Sequence, residues 1–124
     1  RFPVLADACR CAYCAQARFT SIVRTTVPAL AFIDAGAKAL TSDLLVLAGC
    51  GVVQDLDMAQ VYNVNAEHGY LDLKSTHKRP RIGAVIQVTP NHVCPVNNLF
   101  DKVVFVRGSE VLGAVKVDAR GKVQ

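Results

Sequence analysis

Val103-Val104-Phe105-Val106-Arg107-Gly108-Ser109-Glu110-Val111-Leu112-Gly113-Ala114-Val115-Lys116-Val117 decides the fold class of this 124-residue chain. Two runs rich in β-branched residues flank a short polar turn that contains glycine, so residues 103–107 and 111–117 read as the strands of a hairpin. Working outward, the same enrichment marks 20–27, 44–47, 60–64 and 85–89 as further strands. Turn signals at Asp34-Ala35-Gly36, Gly49-Cys50-Gly51, His68-Gly69 and Asp118-Ala119-Arg120-Gly121 fall between or beyond them, at the spacing short antiparallel strands require. Helical periodicity is weak and confined to 4–16 and 35–40. The reading predicts a mainly β fold, an antiparallel β-sandwich or partly open barrel with one or two short helices. Residues 1–124 read as a single β-rich domain without repeat or linker.

Composition supports a soluble globular chain. Hydrophobic residues make up 52%, enough to fill one core. The net charge is +4, but the basic residues are scattered. Their one local group, Lys74, Lys78, Arg79 and Arg81, lies in a polar connection and reads as a solvated loop, so no nucleic-acid partner is expected. No apolar run reaches the ~18 residues of a membrane helix, and the N-terminal residues lack a leader pattern, which predicts no membrane partner and a cytoplasmic location. Of five cysteines, Cys9, Cys11 and Cys14 crowd one segment while Cys50 and Cys94 lie far apart, unlike a secreted disulfide framework. Cys9-x-Cys11-x-x-Cys14 lacks the second pair that structural zinc sites use, and reads as buried or incidental thiols.

Pro90-Asn91-His92-Val93-Cys94-Pro95 is the stretch with chemistry in it. Proline bounds the segment on both sides and stiffens it. If it is extended, His92 and Cys94, two apart, leave on one face and their donor atoms converge on one ion. Imidazole nitrogen with thiolate sulfur suits zinc better than magnesium or calcium. The residues alone also fit a loop histidine beside a buried structural thiol. A nucleophilic Cys94 with His92 as base is disfavoured, because residues two apart on an extended loop rarely align for that hydrogen bond and no orienting acid is evident.

The segment from Pro90 through Asn97-Asn98-Leu99-Phe100-Asp101, followed by Val103-Val104-Phe105-Val106-Arg107-Gly108, resembles the C-terminal β-domain of D-serine dehydratase-like proteins and D-threonine aldolases. Two further stretches match in order: Asp34-Ala35-Gly36-Ala37-Lys38-Ala39-Leu40-Thr41-Ser42-Asp43 and Glu67-His68-Gly69-Tyr70-Leu71. The resemblance covers roughly 20–123 and implies a pyridoxal phosphate-dependent, fold-type III lyase whose N-terminal α/β barrel holds the cofactor on a lysine. It implies zinc on His92 and Cys94, with aspartate at the second position in aldolase relatives. His68 and Glu67 are the implied supporting residues, while Asn91, like Asn97, flanks the loop and is expected to bond its backbone or to orient the His92 nitrogen that faces away from the metal.

A barrel of about 250 residues does not fit in this chain. Pyridoxal phosphate is therefore expected only where a barrel domain or its equivalent is supplied, and neither Lys38 nor Lys78 is taken as the cofactor lysine. By itself the chain is expected to bind metal without carrying a catalytic or cofactor-binding set. The alternative is a non-catalytic interaction module, self-associating as a homodimer, with a vestigial metal loop.

Overall fold

The computed structural model describes residues 17–27, 29–44 and 48–122. The predicted helix over 4–16 and the Cys9, Cys11 and Cys14 group lie outside them. The chain is built from β1 (Arg18–Val27), β2 (Leu30–Ile33), α1 (Ala37–Leu40), β3 (Gly51–Val53), β4 (Ala59–Val64), β5 (Gly69–Asp72), β6 (Val85–Pro90), α2 (Val93–Asn98), β7 (Lys102–Arg107) and β8 (Glu110–Lys116). The first six strands form a closed barrel in the order β1-β2-β5-β4-β3-β6. Pairing of Arg18 with Val88 and Ser21 with Val85 closes it. Of the two expected architectures the barrel is the one adopted, and its closure removes every edge in that sheet.

Alternation sets which side chains fill the interior. Ile22 of β1, Ala31 and Ile33 of β2, Leu71 of β5, Val61 of β4 and Val88 of β6 are all at most 1% exposed, while their neighbours Phe32 and Tyr70 pack edge to face at 5.2 Å outside. Leu40 of α1 closes one end of this core, and Leu56, in the single turn Gln54–Leu56, joins it from another side.

The strands expected at 20–27, 60–64, 85–89, 103–107 and 111–117 are present with shifts of one or two residues at their ends. Three strands were not anticipated. β2, β3 and β5 have only four, three and four residues, and β3 and β5 begin on glycines that mark turns by composition. Leu44, expected to open a strand, lies in none and is exposed; 45–47 are outside the described residues. The basic loop has local partners: the Lys78 ammonium lies 3.1 Å from Asp57 and donates to the Asp55 carbonyl at 2.8 Å. The Thr76 hydroxyl and that ammonium together hold the Asp57 carboxyl below its ordinary range.

β7 and β8 form a separate two-stranded sheet. Gly108, at φ 59°, supplies the left-handed turn that joins them. Their apolar side chains stay in solvent, with Val104, Phe105, Val106, Val111, Leu112 and Val115 between 49% and 67% exposed. Among the described residues no helix is long and apolar enough to cross a membrane.

Candidate metal centre

Antiparallel pairing brings the distant motifs to one rim of the barrel. Ile33, ending β2, lies beside Gly69, starting β5; Gly69 also pairs with Val64, ending β4; and Gly51, starting β3, pairs with Pro90, ending β6. The segments 34–43, 65–69 and 91–98 all leave from this rim.

The first two of these segments are joined backbone to backbone. Ala37 N–H donates to Asn65 O at 2.7 Å and Lys38 N–H to Ala66 O at 3.3 Å. A Cβ on Gly36 would lie 2.4 Å from Asn65 O and 2.6 Å from Ala66 O, so only glycine permits this approach. Lys38 and Glu67 add an exposed ion pair, and the Asn65 side chain accepts the N–H groups of Glu67 and His68 at 3.0 and 2.6 Å. Asp34 reaches beyond its own turn. Its carboxylate accepts from the Thr20 hydroxyl and from Ser21 N–H at 2.7 Å, tying β2 to β1. Partial burial works to raise its carboxyl, but these hydrogen bonds outweigh that and hold it below the ordinary value.

His92 stands at the entry to α2. Its backbone is extended, with φ −127° and ψ 103°, and its side chain is 24% exposed. Its Nδ1 lies 2.7 Å from Oδ2 of Asp43. A carboxylate can only accept, so Nδ1 carries the proton of this bond, and in the neutral ring Nε2 is the nitrogen with a free lone pair. Cys94 is a free, exposed thiol in the first turn of α2. Two sequence expectations change here. The helix begins at Val93, so the argument that residues two apart share a face of an extended chain does not hold for this pair. The reading of Cys94 as a buried structural thiol is also excluded. That description fits Cys50, which is 3% exposed, its thiol pushed up by burial.

Asn91 is 3% exposed and anchors the loop from below. Its amide donates to Gly49 O at 2.6 Å and Ala48 O at 3.3 Å, and its backbone N–H donates to Cys50 O at 3.1 Å. Its side chain therefore holds the backbone of 48–49, while Nδ1 of His92 is partnered by Asp43. Glu67 and His68 share the rim, but their recorded bonds run to Lys38 and Asn65. Asp43 is the residue sequence reasoning missed. It lay inside a quoted motif, yet 49 residues of separation gave no signal of its pairing with His92.

Among the described residues no three His, Cys, Asp or Glu side chains assemble into a metal-holding group. The donor chemistry of His92 and Cys94 fits zinc, and two donors leave such a site open rather than closed. Lys38 pairs with Glu67 and Lys78 with Asp57, both on the exposed surface. A shallow groove of about 290 Å³ between Arg18, Thr20, Asp34 and Val85 includes neither His92 nor Cys94.

Comparison with known proteins now bears on these motifs. Residues 15–106 match the family model described as "Putative serine dehydratase domain". The chain belongs to that family. An uncharacterized protein of Mycobacterium tuberculosis (strain H37Rv) is 35% identical over 91 residues, which make up 73% of this chain and 68% of that relative. D-threonine aldolase of an Arthrobacter species is 30% identical over 103 residues, 82% of this chain but 26% of the enzyme. Among solved structures, D-threonine aldolase from Filomicrobium marinum superposes with a TM-score of 0.72 at 30% identity, over 86% of this chain and 28% of that one. D-threo-3-hydroxyaspartate dehydratase from Delftia sp. HT23 shares the fold, with a TM-score of 0.71 at 20% identity over 86% of this chain and 34% of the enzyme. A cysteine-to-alanine mutant of that dehydratase is described in a metal-free form, and another mutant changes a histidine two positions earlier. The chain thus spans about a third or less of the length of the enzymes it matches.

Proposed function

We propose that this chain is the metal-binding β-domain of a D-serine dehydratase or D-threonine aldolase type of lyase, with zinc on His92 and Cys94. The observation that carries the reading is the Asp43-held His92, two residues from the exposed Cys94 thiol, at the rim where all three family motifs meet. The histidine and cysteine changed in the Delftia dehydratase have the same spacing, which supports the choice of ligands. Asn91 secures the loop, and Glu67 and His68 lie in the connection that leaves the same rim. Bound zinc would supply a Lewis acid for a substrate oxygen. The cofactor lysine belongs to an α/β barrel: every strand pair among the described residues is antiparallel, so they build no part of one. Pyridoxal phosphate chemistry is accordingly expected only with that barrel present, and a free thiol donor suits the cytoplasm.

Protein purified without added zinc and analysed for metal should carry up to one zinc per chain. The His92→Ala, Cys94→Ala double variant should carry none while keeping its circular dichroism spectrum. Metal-free wild-type protein that also fails to take up added zinc at neutral pH would sink the reading.

A second reading, a self-associating interaction module, is favoured by the hairpin. A lone two-stranded sheet with apolar side chains on both faces is marginal in water, and covering it by a second copy would remove that exposure. Sedimentation should show a homodimer that Phe105→Ser with Leu112→Ser converts to monomer. A wild-type monomer at high micromolar concentration would exclude the homodimer.

A further inference from the structure

Three carboxylates are held at or beside the metal rim, and their engagements differ. Asp34 is held by Thr20 and Ser21, Glu67 by Lys38, and Asp43 lies 2.7 Å from the imidazole of His92. The segment that delivers Asp43 is under backbone strain. Thr41, β-branched, sits at φ 64° and ψ 157°, and its hydroxyl accepts Asp43 N–H at 3.2 Å. Such a conformation is strained and persists only where the surroundings impose it. Here the surroundings are the docking of 36–38 onto the 65–67 backbone.

From this geometry we propose that Asp43 is a positioning residue for the metal, acting through His92. By accepting a hydrogen bond from Nδ1–H it holds the ring in one tautomer and one orientation and presents Nε2 as the donor. The inference rests on the zinc reading of His92 and Cys94. It extends that reading to a carboxylate from a different strand connection, and makes metal affinity depend on the seating of 34–43 against the barrel.

The test uses the whole chain in two measurements. Long-range proton–nitrogen NMR on metal-free protein reads the His92 tautomer. Competition with a chromophoric chelator reads zinc affinity. Asp43→Asn and Asp43→Ala should redistribute the tautomer and weaken zinc binding by roughly 10- to 100-fold, with Asp43→Glu recovering part of the loss. Asp72→Asn, at the far end of β5 and paired there with Lys74, should leave both readouts within about twofold, since exposed ion pairs couple weakly. Wild-type protein that takes no zinc would overturn the metal assignment while the NMR arm still decided whether Asp43 orients the ring. Wild-type protein that binds zinc, together with Asp43→Asn and Asp43→Ala variants of unchanged tautomer and affinity, would overturn the role of Asp43 and leave the metal assignment standing.

Discussion

Gly36→Ala is expected to destabilise the protein by about 3 kcal/mol, lowering the thermal midpoint by roughly 10 °C, and to weaken zinc binding at the same time. The added methyl would meet Asn65 O at 2.4 Å and Ala66 O and the Glu67 carbonyl carbon at 2.6 Å. All three are backbone atoms, and none can rotate away. Relief requires the 34–43 segment to lift from the β4–β5 turn, which breaks the bonds from Ala37 and Lys38 to that turn and draws Asp43 off His92. Lys38→Ala is the matched control, because it removes the exposed ion pair with Glu67 without touching the backbone contact, and its cost should stay below about 1 kcal/mol. Differential scanning calorimetry decides the matter. A Gly36→Ala midpoint within about 2 °C of wild type would mean the two segments do not meet as described.

Leu71→Ala should cost about 3 kcal/mol, and its effect should be on stability with the rim geometry kept. Leu71 is fully buried at the middle of β5, opposite Ala31 on one side and Val61 on the other. Truncating it removes apolar contacts and leaves a cavity that a closed barrel cannot readily collapse, since its strands are tied on both sides. Val111→Ser provides the contrast. Val111 is 67% exposed, so this change should stay within about 0.5 kcal/mol. Urea unfolding monitored by circular dichroism compares the two, and equal midpoints would contradict the assignment of Leu71 to the interior.

What could be read ahead of the structure follows from how locally each signal is written. The long strands announce themselves because runs dense in Val, Ile, Thr and Phe carry their own β preference, as in β1, β6 and the β7–β8 hairpin. β2, β3 and β5 are too short for any pattern to accumulate, and they become strands through their neighbours on both sides. α2 was hidden for a different reason. Pro95 in Val93-Cys94-Pro95-Val96-Asn97-Asn98 argues locally against a helix, yet in the first turn its missing N–H is not needed.

The amino-acid sequence by itself determined the β class and the hairpin of β7 and β8, and it singled out His92 and Cys94 as the pair to propose for metal, because each of these lies within a few consecutive residues. Barrel closure and the choice of Asp43 as the partner of His92 were decided only by the tertiary structure. Both depend on antiparallel register, which places the end of β2, the start of β5 and the end of β6 on one rim. Register is a property of paired strands, so a carboxylate 49 residues from its histidine becomes a neighbour only once the barrel is closed.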